Sequence, residues 1–358
     1  SLKEINPEFF RFLNQRMDAF WDRGFAVASP TTWFGKTDNC LFSVKDAIQI
    51  SRYLRVRYGA YNGIWAVSGE YQYNFRDCDW TPDDLNAIGR AVQRHNPYKR
   101  PLSIHPSGRV DWQEPHNVQS SKPFQDEEWL DHHWLQTGQS VNRMYNIVTR
   151  AKENRALTPV SPVFHSEGYY ERDNDPAGAY HSRWQVWTAF LSGCAGHGYG
   201  AFGMWQFYDP EDPLGETGKE TKDLVPWREA IQFGGPSMLK HAAALLSSID
   251  WHKLEPRRDA LRLDGEHCPQ PTAKDITPPQ AAVIQDDLWV IYIPRGNAGH
   301  EIAIAVDLVN KTFRGRWYDP RDGRWIDAEQ PSLSNGQLPE RPDPPNEDWV
   351  YVLKRIDE

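Results

Sequence analysis

The chain has 358 residues, a length that suits one large and one small domain. Of these residues, 39% are hydrophobic and 25% charged, a composition typical of a globular protein. The formal net charge is −9, and the scattered lysine and arginine residues argue against a nucleic-acid-binding face. No apolar run approaches the roughly 20 residues that a membrane span needs.

The first 250 residues alternate helices with short apolar strands. Asn6 is placed to cap a first helix that has Pro7 at its first position, and Ser43 and Thr81 are placed to open two more. Further helices are expected near residues 141–151, 180–191 and 227–246. The expected strands are residues 25–28, 64–67, 102–104, 134–136, 160–164 and 199–207.

This alternation predicts parallel β/α units with both sheet faces covered. About six strands precede residue 250, whereas a closed barrel needs eight. An open doubly wound sheet could use six strands, but no glycine-rich dinucleotide fingerprint follows any of them.

After residue 255 the helical spacing disappears, and short strands with turn signals take over. Residues 282–284 and 289–293 flank Asp286-Asp287 as a hairpin would, residues 302–308 continue the pattern, and the Asp322-Gly323 turn joins two more strands. Residues 349–353 form a last expected strand. The sequence therefore predicts two domains, residues 1–255 and a small antiparallel β-domain at 256–358.

The four cysteines form no CxxC pair, which excludes a zinc ribbon or a thioredoxin-type site. Cys40 and Cys78 lie in loops that could form a disulfide, although free buried thiols are the favoured interpretation. The adjacent His132 and His133 would point to opposite faces of a strand, and no HxH or HExxH motif occurs. Neither a metal site nor a cofactor is expected.

Polar side chains follow the strands, at the edge where parallel β/α folds carry their active sites. Glu70 follows residues 64–67, and Glu167 follows residues 160–164. A pair of carboxyl groups is what glycosidic hydrolysis uses, one as acid and the other as nucleophile or base. A glutamate at such an edge can equally serve in a loop salt bridge.

The 16 Trp, 15 Tyr and 15 Phe residues favour a carbohydrate ligand, because flat rings suit the apolar faces of sugars, although many will be core. His105, Gln136 and Gln206 stand at strand ends and could bind hydroxyl groups, although His105 could equally have a structural role. Glu171, in the segment after residues 160–164, is a further candidate for substrate binding. The aromatic candidates for substrate contact, each of which could equally be core, are Trp33, Tyr169, Tyr199 and Trp205.

Seven segments, in order along the chain, resemble the apiosidase-like glycoside hydrolases, a family of barrel proteins with a C-terminal module named for collagen binding. The resemblance covers nearly the whole chain. The matching segments are Ile64–Glu70, His105–Gly108, Asp126–Asp131 running into Gln136–Gly138, Pro162–Glu171, Gly196–Gln206, Trp317–Pro320 and Asp348–Val350.

The resemblance implies a (β/α)8 TIM barrel whose first two β/α units are missing from this chain, followed by a small antiparallel β-sandwich. It implies Glu70 as acid/base and Glu167 as nucleophile, with Glu171 as the rival for the second role. Related members often carry Asp at the position of Glu70, and Gly69 stands where the wider clan has Asn. A retaining mechanism would place the two carboxyl groups roughly 5–5.5 Å apart.

The expected function is hydrolysis of a glycosidic bond in a plant or algal polysaccharide by a periplasmic or extracellular enzyme, since the family is commonly exported. The partner would be an oligo- or polysaccharide, and the oligomeric state stays open. Two alternatives remain: a barrel that binds glycans without cleaving them, and a structural role in which the β-domain docks to partners.

Overall fold

A computed structural model describes residues 4–31, 40, 42–108, 120–172, 174–212, 224–285, 287–305, 312–329, 331 and 335–356. The chain forms two compact units. The first comprises residues 1–136 and 154–166, and the second residues 137–153 and 167–358. No described helix has the length and apolar character of a membrane span.

The helices are α1 Pro7–Trp21, α2 Val44–Tyr58, α3 Gln72–Cys78, α4 Pro82–Arg94, α5 Asn146–Arg155, α6 Gly178–Leu191, α7 Trp227–Ala230 and α8 Gly235–Ser247. The strands before residue 250 are β1 Val27–Pro30, β2 Gly63–Ala66, β3 Leu102–Ser103, β4 His133–Gln136, β5 Val163–Glu167, β6 Tyr170–Glu171, β7 Gly196–His197 and β8 Gly200–Ala201. The later strands are β9 Glu255–Pro256, β10 Leu261–Leu263, β11 Glu266–His267, β12 Gln280–Ile284, β13 Leu288–Ile293, β14 Ile302–Ile304, β15 Phe313–Tyr318, β16 Trp325–Ala328 and β17 Trp349–Arg355.

The three predicted helix caps are confirmed. The Asn6 side chain accepts hydrogen bonds from the backbone N–H groups of Glu8 and Phe9. Ser43 and Thr81 each form a reciprocal capping box with the acid three residues later. These local bonds satisfy N–H groups that a helix start leaves without intrahelical partners, which explains why the sequence alone revealed them.

In the first unit, β1, β2 and β3 form a parallel sheet in that order, as predicted. Its core includes Trp65 and Val67 around β2, Leu85 and Ile88 of α4, and Trp129. Helix α1, by contrast, buries none of its residues, although its apolar spacing is helical.

Two expected elements are wrong. Residues 199–207 form only the two-residue strand β8 followed by turns, because Gly203 adopts a φ of +91° and Phe207 one of +50°. The expected helix over residues 227–246 is broken into α7 and α8 at Gly234-Gly235, directly before Pro236. Proline lacks a backbone N–H and cannot continue a helix from the preceding turn. The sequence also missed α3, the short helix after Glu70.

The predicted antiparallel β-region after residue 255 is confirmed for the described residues. A six-stranded sheet has the order β16-β15-β17-β13-β12-β9, and a three-stranded sheet has the order β11-β10-β14. The predicted β12–β13 and β15–β16 pairs are both present and antiparallel, and Gly323 takes a φ of +81° in the turn. Asp286 and residues 306–308 lie outside the described residues. Both sheets contribute to one core that includes Trp289, Trp317 and Trp349.

A buried ion pair joins α6 to the large sheet within the second unit. Arg183 of α6 donates from Nε and Nη2 to the two carboxylate oxygens of Asp348, at 2.7 and 2.5 Å. The Tyr292 hydroxyl donates to the same carboxylate at 2.9 Å. The side chains of Arg183 and Asp348 are 3% and 0% exposed. Helix α6 and the large sheet are therefore held together by a fully buried, bidentate contact.

A disulfide joins Cys40 to Cys78, so the favoured expectation of free thiols is wrong for this pair. Cys78 is the last residue of α3, and the bond connects that helix to the loop after β1. Cys194 and Cys268 are buried thiols. Spacing could not decide the question, because the bond depends on how two segments 38 residues apart in sequence approach each other.

Acid is expected to destabilise the first unit through two buried histidines. Burial lowers the pKa of both His132 and His133 from 6.5 to about 4, and for His132 the neighbouring His133 adds to the effect. Nε2 of His132 accepts a hydrogen bond from the Trp134 indole N–H at 2.6 Å, which requires the neutral ring.

The folded state therefore resists protonation that the unfolded chain accepts. The neutral histidines contribute fully to the free energy of unfolding above pH 6.5. This contribution decreases as the pH falls toward about 4, by on the order of 3 kcal/mol per histidine. Urea denaturation at pH 7 and pH 5 measures this loss. His132→Gln should flatten the pH dependence, whereas His267→Gln, at an exposed position, should not. A steeper dependence in His132→Gln would contradict this prediction.

Candidate active site

Glu70 lies four residues beyond the end of β2 in an unusual backbone conformation. Its φ is +41°, in the left-handed region that residues other than glycine rarely occupy. Such a conformation costs on the order of 1 kcal/mol and persists only where surrounding contacts enforce it. Here the Glu70 carbonyl oxygen accepts from Tyr73 N–H at 3.0 Å, at the entrance to α3. The side chain is 7% exposed.

Gln136 and His105 lie in the same unit as Glu70, at the ends of neighbouring segments. Nε2 of Gln136, the last residue of β4, lies 3.5 Å from Oε1 of Glu70, a long hydrogen bond. The backbone N–H of His105 donates to Ser68 O, and its carbonyl oxygen accepts from Tyr71 N–H, each at 3.0 Å. Gln136 therefore contacts Glu70, and the backbone of His105 is hydrogen-bonded to the residues on both sides of Glu70.

Glu167 is the last residue of β5, three residues later than the expected strand end. Its Oε1 accepts two hydrogen bonds, from Nε2 of Gln139 at 2.8 Å and from the hydroxyl of Tyr170 at 2.9 Å. Its carbonyl oxygen accepts from Thr137 N–H at 3.0 Å. Two neutral donors on one carboxylate oxygen favour the ionised form and fix the side chain's orientation.

The two donors are themselves held in place. Arg172 donates to the backbone carbonyl of Gln139 at 3.2 Å, and its guanidinium lies 4.0 Å from the centre of the Phe202 ring. The Tyr170 ring packs edge-on against Phe202. A Cβ atom at Gly200 would lie 2.4 Å from the Tyr170 ring, so only glycine allows this packing.

Glu171, the rival for the second carboxylate, has a structural environment. Its Oε2 accepts from the Tyr199 hydroxyl at 2.6 Å and from the backbone N–H of Gly235 at 2.9 Å. Gly235 is the first residue of α8, whose positive end favours a carboxylate. The Glu171 side chain therefore connects β6 to α8, and the break in the expected long helix supplies the N–H that binds it.

The other substrate-contact candidates fall into different places. The Tyr169 hydroxyl donates to Asp175, whose carboxylate also contacts His181, and the ring lines a cavity of about 390 Å³ together with Gln139 and Arg172. Oε1 of Gln206 accepts from Gly203 N–H at 2.8 Å and holds a turn.

Two of the aromatic candidates lie in different environments. The Tyr199 hydroxyl donates to Glu171, whereas Trp205 is 48% exposed. Neither Trp205 nor Gln206 ends a strand, contrary to expectation, because the segment consists of turns. Trp33 lies outside the described residues.

Sequence reasoning missed Gln139 and Tyr170 as neighbours of Glu167. Tyr170 lies within segment 162–171, which carries the family resemblance, and Gln139 directly follows segment 136–138, which also carries it. A signal was present, since polar residues just beyond a strand end are placed to meet those of the adjacent strand. Among the described residues, no group of three or more His, Cys, Asp or Glu side chains could hold a metal ion.

Comparison with known proteins gives two family matches. Residues 1–253 match the family described as "Apiosidase-like, catalytic domain". Residues 272–354 match "Putative collagen-binding domain of a collagenase". A search of curated proteins found no match.

Solved structures share the fold. A protein described as a glycoside hydrolase superposes with a TM-score of 0.76 at 18% identity, over 99% of this chain and 79% of that one. A glycoside hydrolase family 5 protein from Bacteroides vulgatus gives the same TM-score and identity, over 99% of this chain and 77% of that one. A third structure from the same organism gives 0.59 at 14% identity, over 98% and 64%. The chain therefore has an α/β fold of the glycoside hydrolase type, with a C-terminal antiparallel sheet domain.

Proposed function

The chain belongs to the apiosidase-like glycoside hydrolase family, and from that premise we propose that it cleaves a glycosidic bond in a plant or algal polysaccharide by a retaining mechanism. Glu167 is the proposed nucleophile and Glu70 the acid/base. The observation that carries the proposal is the Glu167 carboxylate at the end of β5, with Gln139 and Tyr170 both donating to its Oε1.

In this mechanism Glu70 protonates the departing oxygen while Glu167 attacks the anomeric carbon and forms a glycosyl ester. Glu70, now a carboxylate, then takes a proton from water, and the resulting hydroxide displaces Glu167 and releases the sugar. The nucleophile must be ionised from the start, and the two donors on Oε1 stabilise that state.

The contacts favour Glu167 over Glu171 for the nucleophile. A carboxylate that bridges a tyrosine hydroxyl and a helix N-terminus contributes to structure, and its displacement would leave the start of α8 without its partner. One donor of Glu167 is instead the side chain of Gln139, which lines the 390 Å³ cavity.

The finer architecture and the compartment belong to the same proposal. We place the six strands expected before residue 250 as strands three to eight of a (β/α)8 barrel, supported by the parallel β1-β2-β3 order. We also propose an exported enzyme, in the periplasm or outside the cell. The Cys40–Cys78 disulfide supports that location, since such bonds persist in oxidising compartments.

Removing either donor to Glu167 is expected to slow the reaction without unfolding the protein. Gln139→Leu and Tyr170→Phe should each lower kcat/KM by about 10-fold to 100-fold, because a hydrogen bond to a charged group contributes roughly 1.5–3 kcal/mol. Ser140→Ala, in the same cavity wall, is the matched control and should keep the wild-type rate. Wild-type kcat/KM in both Gln139→Leu and Tyr170→Phe would rule out this role.

The substrate is tested by incubating the purified protein with branched pectic and algal polysaccharides and identifying released sugars by chromatography. We expect release of a defined sugar or oligosaccharide from at least one member of the panel. Binding to a glycan in calorimetry, with no product from any of them, would instead support a non-catalytic glycan-binding protein.

A further inference from the structure

A second cavity lies in the C-terminal sheet domain. Its volume is about 410 Å³, near the lower end of the range for small-molecule sites. It is formed between β13, β14, β15 and the segment 337–345. The polar and aromatic residues that line it include Trp317, Glu301, Gln337, Glu340, Arg341 and Asp343.

The walls of this cavity are fixed by backbone hydrogen bonds. Leu338 N–H donates to Ile302 O at 2.8 Å, and Ile304 N–H donates to Gly336 O at 2.9 Å, so segment 336–338 extends the edge at β14. The His300 ring contacts the Asp264 carboxylate at 2.7 Å on the adjoining turn. A site built on paired strands needs little reordering when it binds a ligand, which favours affinity.

Arg341 supplies a positioned donor with no ionic partner. Its Nε donates to Pro345 O at 3.1 Å, and Nη2 donates to Asn297 O. None of the described carboxylates lies within salt-bridge distance of Arg341, although Glu340 is its neighbour in sequence. Two backbone carbonyls thus orient the guanidinium without neutralising it, and burial lowers the pKa of Arg341 below its usual value.

Trp317 adds an aromatic wall. It lines the cavity and is 2% exposed. Its indole N–H is itself buried, so the ring is the part of this side chain that borders the cavity.

The charges select the class of ligand. Glu301, Glu340 and Asp343 are exposed and place three carboxylates around the cavity, which disfavours an anion. The guanidinium of Arg341 disfavours a cation. A polyhydroxylated neutral molecule suits the carboxylates and the guanidinium alike. Each hydroxyl can donate to a carboxylate and accept from the guanidinium or from the Gln337 amide.

We propose that this cavity is a second, non-catalytic binding site for a short stretch of neutral glycan, formed by the juxtaposition of Trp317, Arg341 and the carboxylates of Glu301 and Glu340. The site lies wholly within the C-terminal sheet domain. Its existence does not depend on the catalytic roles given to Glu70 and Glu167.

Titration calorimetry of the full chain carrying Glu167→Ala tests the proposal, with tetrasaccharides of galactan, arabinan and xylan as neutral probes. Tetragalacturonate is the anionic probe and tetralysine the cationic one. At least one neutral tetrasaccharide is expected to bind. Glu301→Ala/Glu340→Ala and, separately, Arg341→Lys should each weaken one binding site per chain by 10-fold or more. The first variant loses two carboxylate acceptors, and the second loses the planar guanidinium that two backbone carbonyls orient.

Asp259→Asn, an exposed carboxylate in the same domain, is the control and should leave that binding unchanged. The cavity variants, made without Glu167→Ala, should keep the wild-type rate on a small soluble substrate, which separates this site from the catalytic one. The proposal is overturned if no neutral probe binds, or if the variants bind with unchanged stoichiometry and affinity. It is equally overturned if tetragalacturonate or tetralysine is the probe whose binding depends on Glu301 and Glu340.

Discussion

Glu167→Ala is expected to lower kcat by about 10⁴-fold or more, because it removes the group that attacks the anomeric carbon. Glu70→Ala should also lose orders of magnitude on substrates with a poor leaving group. It should lose much less on an activated aryl glycoside, whose leaving group departs without protonation. The measurements are steady-state rates on both substrate types, with circular dichroism to confirm folding.

The matched control is Glu171, the second carboxylate in the same segment. Glu171→Gln retains an acceptor for Tyr199 and for the N–H of Gly235, so it should cost mainly stability and leave kcat within about 10-fold of wild type. If Glu171→Gln abolished turnover while Glu167→Ala preserved it, the two assignments would have to be exchanged.

Arg183→Met is expected to destabilise the protein by about 3–5 kcal/mol, because it leaves the Asp348 carboxylate buried without its partner. Tyr292 would remain as a donor and Arg295 would remain 4.0 Å away, but neither replaces the bidentate contact of a buried guanidinium. A change of this size is a large part of a typical folding free energy. Urea denaturation of the variant and the wild type measures it.

Two controls separate this effect from general loss of charge. Lys253→Met removes an exposed ion pair with Asp250 and should leave stability almost unchanged. The double variant Arg183→Met/Asp348→Leu should recover much of the loss, since an apolar pair of similar volume avoids the desolvation penalty. A loss below about 1 kcal/mol in Arg183→Met would show that α6 and the large sheet do not depend on this contact.

Local signals in the sequence were reliable. The caps at Asn6, Ser43 and Thr81 depend on contacts within three residues, and the β12–β13 hairpin depends on the alternation of apolar residues around one turn. The glutamates were selected because they follow apolar strands. Nothing in that reasoning required knowledge of distant parts of the chain.

Long-range contacts were not predictable. The role of Glu171 depends on Gly235, 64 residues away, and the Arg183–Asp348 pair spans 165 residues. Asp348 belongs to a segment that resembles the family, yet only the fold shows it to be a buried anchor. The Cys40–Cys78 bond and the Gln139 donor to Glu167 were missed for the same reason, because each depends on how separate segments pack.

Chemical rescue with azide tests the catalytic account most directly. Azide can occupy the space left by the carboxylate in Glu167→Ala and attack the anomeric carbon in a single displacement. The account predicts restored turnover on an activated glycoside and a glycosyl azide of inverted anomeric configuration, identified by NMR. A glycosyl azide of retained configuration from this variant would show that Glu167 is the acid/base instead, and full activity of Glu167→Ala without azide would remove it from the reaction altogether.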